Sequence, residues 1–485
     1  MHAGDEQHGD AVLGANALAV LSRRYLRRAH GVVIETPAEM FGRVARHVAE
    51  AERGHGADDA AVAAIAEGFR ARMAALEFLP NSPTLMNAGR SDGQLAACFV
   101  VPVEDSTSAI FEAVRWAAEI QKTGGGTGFS FSRLRPAGDE VSSTGGVSSG
   151  PVAFMQVFDA ATDAVKQGGA RRGANMGILR VDHPDILDFV CLKLDAARMR
   201  NFNLSVAITD AFMREVASGG AYALVNPRTG TAVRWLDARR VFELIANAAW
   251  SAGDPGLVFI DRVDAANPTP ARGRIEATNP CGEQPLLPFE SCTLGSINLG
   301  RFVNGGKIPG IDWARLRDCI GWAVRFLDDV IDVNCYPLPE IAAATRATRK
   351  IGLGVMGFAD LLIGLGVPYD AAEARAIANQ IAEVLEETSL AASAELAAAR
   401  GPFPAWPESR WGSADSPVRR PLRNATTTTV APTTTAATTT TAPATTTTTT
   451  AAPPIQFRPD GLGIAFFGEG VDAVLAITDA AFGAR

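Results

Sequence analysis

Short apolar runs of β character alternate with helical segments and Gly-rich loops between residues 78 and 210. The β-like runs are 98–103, 129–134, 177–182 and 203–209, and the helical segments among them include 108–122 and 184–194. Alternation of this kind is typical of βαβ units, which build a mostly parallel sheet covered by helices. The sequence therefore predicts an α/β fold for this part of the chain.

Helical patterns precede and follow the alternating region. Apolar residues recur at helical spacing in five further segments: 11–28, 38–77, 237–251, 311–333 and 371–400. The segment 268–289 is rich in Pro and Gly, so we expect a loop there. We divide the chain into an N-terminal helical region, residues 1–77, and an α/β domain, residues 78–424.

The composition changes at residue 425. Residues 425–454 contain only Thr, Ala, Pro and one Val, and 17 of these 30 residues are Thr. Such a stretch has little to bury, so we expect an extended or disordered linker. A simple repeat expansion or a disrupted reading frame is the alternative origin that we prefer over an evolved linker. Residues 455–485 are too few for an independent domain and form a short C-terminal segment.

Charge and hydropathy argue against two classes of partner. The chain has 45 Lys and Arg against 53 Asp and Glu, a formal net charge of −8, whereas nucleic-acid binding needs a basic surface. No apolar run approaches the roughly 20 residues of a membrane-spanning helix. The acidic N-terminus differs from the basic start of a signal peptide. We therefore expect a cytoplasmic protein with neither a membrane nor a nucleic-acid partner.

The cysteines suggest chemistry at one position. No CxxC pair occurs among the six cysteines, so no zinc site is indicated and we predict no metal. On an extended loop alternate residues point the same way, so Asn279, Cys281 and Glu283 would converge on one ligand. Glu283 would then serve as general base beside a reactive sulfur. On spacing alone, a buried structural Cys281 is the alternative.

A Gly-rich segment, Thr-Gly-Gly-Gly-Thr-Gly at 123–128, is a second candidate. Glycines let backbone N–H groups approach an anionic or sugar-bearing ligand closely. A plain tight turn is the alternative, because a Gly-rich loop alone is a weak signal.

Six blocks in fixed order resemble the catalytic chain of class II, adenosylcobalamin-dependent ribonucleotide reductases. These blocks are 78–89, 122–131, 142–147, 167–175, 181–185 and 279–298. The resemblance runs from about residue 11 to residue 433. It implies an N-terminal helical region that leads into a ten-stranded α/β barrel. It also implies reduction of ribonucleotides, as diphosphates, to 2′-deoxyribonucleotides by a thiyl radical.

The resemblance implies a role for each matching residue. Cys281 would carry the thiyl radical, Glu283 would take the proton of the 3′-hydroxyl, and Asn279 would hold the same edge of the sugar. Cys98 and Cys292 would deliver the reducing electrons and close into a disulfide. The remaining cysteines match no family position, and their helical context predicts core residues: Cys191, Cys319 and Cys335.

Ligand contacts and partners are implied in the same way. Substrate contacts would come from Ser82, Ala97, Gly125, Gly126, Pro280 and Gly282. A deoxynucleotide effector would bind at a homodimer contact near Asp105, Lys122 and Arg135. Adenosylcobalamin would be the cofactor, and a thioredoxin-like dithiol would supply electrons. No segment like an ATP-cone precedes residue 11, so we expect no activity switch of that type.

The sequence departs from the family pattern after residue 433. The family continues into a Gly-Thr-Ile-Ser-like turn that holds the substrate phosphates, and it ends with a cysteine pair. Here the Thr-rich tract stands in that place, and no cysteine follows Cys335. We therefore expect a barrel that is incomplete at its C-terminus. One alternative is an inactive reductase that keeps nucleotide binding or dimerisation, and a Thr-rich stalk protein is another.

Overall fold

The computed structural model describes residues 13–141, 145–166, 173–306 and 309–412. The predicted linker at 425–454 and the segment at 455–485 lie outside the described residues. So do residues 142–144 and 167–172, which belong to two of the family-like blocks.

Three helices form the N-terminal region: α1 (Ala15–Arg24), α2 (Pro37–Ala49) and α3 (Asp59–Ala74). Helix α2 begins at a capping box, in which Thr36 and Glu39 satisfy each other's backbone N–H groups, followed by Pro37. The helical segment predicted at 38–77 is divided into α2, a 3-10 turn and α3. A 3-10 turn ends at Gly56, whose φ of 89° terminates it, and Asp58 caps the start of α3.

The main sheet has eight strands in the described residues. They are β1 (Phe78–Pro80), β2 (Cys98–Val100), β3 (Gly126–Ser130), β4 (Asn175–Arg180), β5 (Phe202–Ile208), β6 (Gly256–Phe259), β7 (Ser291–Asn298) and β8 (Ile351–Met356). The strand order is β6-β5-β4-β3-β2-β7-β8, and β1 pairs with β7. Strands β2 to β6 are mutually parallel, whereas β7 runs antiparallel to β2 and parallel to β8.

Helices connect the parallel strands. The further helices are α4 (Ser82–Asn87), α5 (Thr107–Lys122), α6 (Gly150–Lys166), α7 (Ile186–Val190), α8 (Asp210–Ser218), α9 (Ala238–Ala252), α10 (Ile260–Ala265), α11 (Trp313–Val333), α12 (Pro339–Thr348), α13 (Phe358–Leu365) and α14 (Ala372–Arg400). Two-stranded ribbons complete the structure, among them Ala221–Val225 with Ala232–Asp237 and Ala277–Thr278 with Pro285–Leu286. None of these described helices is long and apolar enough to cross a membrane.

The two faces of the sheet pack against different partners. Alternate residues of a strand point to opposite faces, so Phe99 packs with the crossover helices while Cys98 and Val100 face the other way. A separate cluster joins α2, α3, α11 and α14 to β1, β7 and β8. The sheet curls into a half-barrel, which confirms the α/β prediction, and Cys98 and Cys292 lie on its inner face.

Candidate active site

Cys98 and Cys292 lie directly opposite each other on two antiparallel strands. Cys98 begins β2, Cys292 is the second residue of β7, and the backbone register pairs them. Opposed residues of antiparallel strands have Cβ atoms about 4.5–5.5 Å apart, slightly more than the ~3.5–4.5 Å of a disulfide. Both residues are free thiols in this structure. A small approach of the two strands would bring them to bonding distance.

The predicted loop at 279–283 is a tight turn that closes a short ribbon. Asn279 N–H donates to Gln284 O at 3.1 Å, and Gly282 N–H donates to Asn279 O at 3.1 Å. Gly282 takes a φ of 85°, a conformation that favours glycine. The expectation of an extended loop is therefore wrong, because the backbone bonds to itself between Ala277–Thr278 and Pro285–Leu286.

Asn279 and Glu283 nevertheless converge, and the atom on which they converge is the sulfur of Cys98. Asn279 Nδ2 donates to Cys98 Sγ at 2.9 Å. Cys98 Sγ in turn donates to Glu283 Oε1 at 3.8 Å. The Asn279 amide is oriented because its Oδ1 accepts the Gln284 N–H at 3.0 Å. The turn and the start of β2 thus form one polar cluster.

The three predicted redox cysteines differ in exposure. Cys281 is exposed, whereas Cys98 and Cys292 are buried, with 4% and 0% of their surface accessible. The alternative of a buried structural Cys281 is therefore wrong. Burial raises the pKa of both buried thiols, and the nearby Glu283 raises each further. The buried pair stays protonated at neutral pH.

Glu283 combines a raised pKa with an unused oxygen. Burial raises the pKa of its carboxyl above the ordinary 4.5. Its Oε2 atom is buried and has no hydrogen-bond partner in the described structure. A buried polar atom without a partner is unusual, and a water, an ion or a ligand can satisfy it. Glu283 can therefore exchange a proton with a bound molecule.

The Gly-rich segment packs against this turn. A Cβ atom on Gly126 would lie 2.6 Å from Pro280 Cγ, and one on Gly128 would overlap the carbonyl oxygen of Thr278. Strand β3 begins at Gly126, before the predicted start at 129. Its glycines lack the Cβ atoms that would clash, so the turn can lie against the sheet. The N–H of Gly126 donates to Ala97 O at 2.8 Å, which places two predicted substrate contacts side by side where β2 and β3 begin.

The remaining predicted ligand contacts lie outside the turn at 279–283. Ser82 begins α4 and its Oγ is 2.9 Å from Tyr25 Oη. Arg135 and Asp105 form an ion pair at 2.8 Å. Lys122 is at the opposite end of α5 from Asp105, about 24 Å away along a helix of 16 residues. A single effector site built from these three residues of one chain stays a prediction.

The cysteines assigned to the core have three different environments. Cys319 is buried in α11, and Cys191 is partly exposed at the end of α7. The prediction is wrong for Cys335, which is exposed because α11 ends at Val333 and the chain leaves the helix before reaching it. In the part of the chain that the structure describes, no group of His, Cys, Asp and Glu side chains could hold a metal ion.

Sequence reasoning missed the side chains that support the site. Asn203 of β5 donates from Nδ2 to Pro280 O at 2.7 Å. Behind the Gly-rich segment, Asn175 accepts from Gln121 and from Thr127, both at 2.7 Å. For the buried Asn175 and Thr127, a polar side chain in an otherwise apolar strand was the available signal, since buried polar groups require partners. Asn203 is exposed and gave no such signal.

A buried ion pair was also missed. Lys350 Nζ lies 2.6 Å from Glu290 Oε2, next to the start of β7 and β8. Glu290 Oε2 also accepts the N–H of Leu287 at 2.7 Å. The two residues are 60 positions apart in the sequence, so no local pattern indicated that they pair.

Comparison with known proteins matches both regions of the chain. Residues 96–456 match the family described as "Ribonucleotide reductase, barrel domain", and residues 11–93 match "Ribonucleotide reductase, all-alpha domain". A vitamin B12-dependent ribonucleoside-diphosphate reductase of Mycobacterium tuberculosis is 52% identical over 85% of this chain and 58% of its own length. One of the same name from Thermoplasma acidophilum is 46% identical over 83% of this chain and 59% of its own.

A more distant relative has a different name. The ribonucleoside-diphosphate reductase large subunit of Vaccinia virus is 30% identical over 79% of this chain and 52% of its own length. The chain therefore spans less than two thirds of the length of each of these relatives. The two family matches together cover most of the sequence, and they confirm the resemblance of the sequence blocks. The chain belongs to the ribonucleotide reductase family.

Proposed function

We propose that this chain reduces ribonucleoside diphosphates to 2′-deoxyribonucleotides, with Cys281 as the radical carrier and Cys98 and Cys292 as the reductant pair. One observation carries the proposal: Asn279 and Glu283 both bond to Cys98, which faces Cys292 across a strand pair. Two strands and one turn thus carry the three thiols, the carboxyl group of Glu283 and the amide of Asn279. The two vitamin B12-dependent relatives are named as ribonucleoside-diphosphate reductases, which agrees with this chemistry.

Adenosylcobalamin is the cofactor that the relatives' names indicate, and the arrangement of the thiols fits it. Cys281 is exposed on its turn while the other two thiols are buried, so a large cofactor can approach Cys281 alone. When bound, the cofactor supplies the radical that converts the Cys281 thiol into a thiyl radical.

The residues of the turn then act on the ribose. The thiyl sulfur of Cys281 takes the 3′-hydrogen atom, and the unpartnered Oε2 of Glu283 accepts the proton of the 3′-hydroxyl. Asn279 donates from its amide to the same edge of the sugar. The 2′-hydroxyl leaves as water after it is protonated, which removes the need for a hydroxide leaving group.

Cys98 and Cys292 supply the reducing equivalents. Together they give two electrons and two protons, one S–S bond forms, and the products are the deoxyribonucleotide and water. Their burial suits hydrogen donation, because a thiol with a raised pKa remains protonated until the substrate takes its hydrogen. When the product is formed, the Cys281 thiol returns its hydrogen atom to the 3′ carbon and becomes a thiyl radical again.

We further propose a dithiol of the thioredoxin kind as reductant, a deoxynucleotide effector and a homodimer. The Asp105–Arg135 pair supports an effector position at the start of α5. An exposed phenylalanine on the same helix, Phe111, supports a contact between two copies there.

The test is product formation by the purified chain. The mixture contains adenosylcobalamin, a ribonucleoside diphosphate, a deoxynucleotide effector and excess small dithiol. Deoxynucleotide that depends on the cofactor supports the proposal. A folded chain that binds nucleotide but forms no product would contradict it and favour the inactive reductase. The Cys281→Ser chain is the matched negative control.

A further inference from the structure

The ion pair of Lys350 and Glu290 lies beside one member of the proposed reductant pair. Strands β7 and β8 are parallel, and Thr293 is opposite Ile351. Cys292 and Lys350 each precede one of these residues, so they lie side by side where the two strands begin. The sulfur of Cys292 has room there because residue 352 is glycine, whose Cβ would be 3.2 Å from it.

The lysine is enclosed with its partner. Only 15% of the Lys350 side chain and 2% of the Glu290 side chain are accessible, and their charged atoms are 2.6 Å apart. Glu290 is fixed by the N–H of Leu287 as well. A buried pair of this kind is weak evidence for stability, because desolvation offsets much of the attraction. Its position suggests a role in the chemistry of Cys292.

The charges around the two sulfurs are unequal. Glu283 and Glu290 raise the pKa of the Cys292 thiol, and Lys350 lowers it by more than Glu290 raises it. Around Cys98, Glu283, Cys292 and Cys281 raise the pKa, and the hydrogen bond from Asn279 lowers it. The group that lowers the pKa is thus the cation of Lys350 at Cys292 and a neutral amide at Cys98.

We propose that Lys350 is a positioning residue for disulfide reduction: its ammonium group stabilises the thiolate of Cys292, so that an external thiol attacks Cys98 and Cys292 is the sulfur that leaves. This inference rests on the proposed function, because it requires the Cys98–Cys292 disulfide. The position of Cys98 agrees with it, since 4% of Cys98 is accessible against 0% of Cys292, and Cys98 bonds to Asn279 on the turn that carries the exposed Cys281.

The exchange balances as two displacements. The first thiolate of an external dithiol bonds to Cys98 Sγ, the S–S bond breaks, and the electron pair goes to Cys292, which is then protonated from solvent. The second external thiolate bonds to the first external sulfur and releases Cys98 as a thiolate. The dithiol loses two electrons and the cysteine pair gains them. A thiol with a lower pKa leaves faster, so a cation at Cys292 accelerates the first displacement.

The first measurement separates this inference from the proposed function. The full chain is oxidised and digested, and the peptides are weighed to detect a Cys98–Cys292 disulfide. Its absence would contradict the reductant-pair assignment itself. Its presence leaves that assignment standing and allows Lys350 to be tested by itself.

The second measurement uses the unmodified chain. The oxidised protein is treated briefly with a monothiol, 2-mercaptoethanol, quenched with acid and mapped by mass spectrometry. We expect the mixed disulfide on Cys98. A mixed disulfide mainly on Cys292 would overturn the inference, and no variant has to fold for this result.

The third measurement is the rate at which dithiothreitol reduces the disulfide at several pH values. We expect Lys350→Met to react severalfold more slowly, because the exchange rate depends partly on the pKa of the leaving thiol, and Lys350→Arg to stay close to the parent chain. Lys193→Met is the matched control, because it breaks another lysine ion pair, with Asp254 at 3.1 Å, and should leave the rate unchanged. Equal rates and pH profiles for Lys350→Met and the parent would refute the role.

Discussion

Gly126 gives a sharp test of how the sheet positions the reactive turn. In Gly126→Ala the new Cβ would lie 2.6 Å from Pro280 Cγ and 3.3 Å from its Cδ, whereas carbon atoms pack at about 3.5–4.0 Å. The proline ring is tied to its own backbone and cannot rotate away, so the turn must move by about 1 Å. Pro280 directly precedes Cys281. A displacement of this size at a reacting group costs about 10²-fold in rate.

The assay for Gly126→Ala is deoxynucleotide formation, with thermal unfolding measured in parallel. We expect product formation to fall about a hundredfold and the free energy of unfolding to fall by about 1–3 kcal/mol, as for other overpacked sites. Gly321→Ala is the matched control, because a Cβ there meets nothing within 4 Å in the middle of α11. It should stabilise the chain by about 0.5–1 kcal/mol and leave turnover unchanged.

A second substitution tests the stated cause. Pro280→Ala removes the ring atoms that the new Cβ would meet, so it should restore part of the turnover when combined with Gly126→Ala. Unchanged turnover and stability in Gly126→Ala alone would refute the reasoning. So would a double variant whose losses simply add, because contacting residues should show a coupling energy.

Three further predictions concern the polar cluster. Cys281→Ser should abolish reduction while nucleotide binding, measured by calorimetry, is retained; turnover by this variant would overturn the radical assignment. Glu283→Gln should also lose turnover yet be more stable than the parent. The folded carboxyl has a raised pKa, so parental stability falls as pH rises above the ordinary 4.5, and thermal unfolding should show the advantage of Gln growing over that range; a pH-independent difference would contradict this. Asn203→Ala removes the bond to Pro280 O, so we expect a loss of about 0.5–1.5 kcal/mol in chemical unfolding and slower turnover; an unchanged midpoint and rate would show that the turn does not depend on it.

Much of the sheet could be predicted from local pattern. Runs such as 177–182 and 203–209 lie within two residues of the strands Asn175–Arg180 and Phe202–Ile208, because buried parallel strands are short apolar runs between helices. The run at 129–134 is displaced from the strand Gly126–Ser130, because the sequence pattern places Gly126 and Gly128 in a Gly-rich loop. Their function is steric, and only the position of the turn against the sheet reveals it.

The residues proposed for the candidate site could be predicted from the sequence, whereas their arrangement in space could not. The sequence blocks named Asn279 and Glu283 correctly as neighbours, yet the expected extended loop is a turn with Gly282 in a left-handed conformation. The direct opposition of Cys98 and Cys292 depends on the register of two strands that are far apart in sequence. No local pattern carries that register, because it is set by the packing of the whole sheet.

The three thiols differ in exposure, and this difference matches the roles proposed for them. Cys281, the proposed radical carrier, is exposed on a turn that the glycines of β3 hold against the sheet. The proposed hydrogen donors must stay protonated, and burial together with Glu283 raises the pKa of Cys98 and Cys292. Asn279 and Glu283 connect the two environments, since they lie on the turn of Cys281 and bond to the sulfur of Cys98. A substrate that satisfies the free oxygen of Glu283 would therefore contact the exposed sulfur and the buried pair at once.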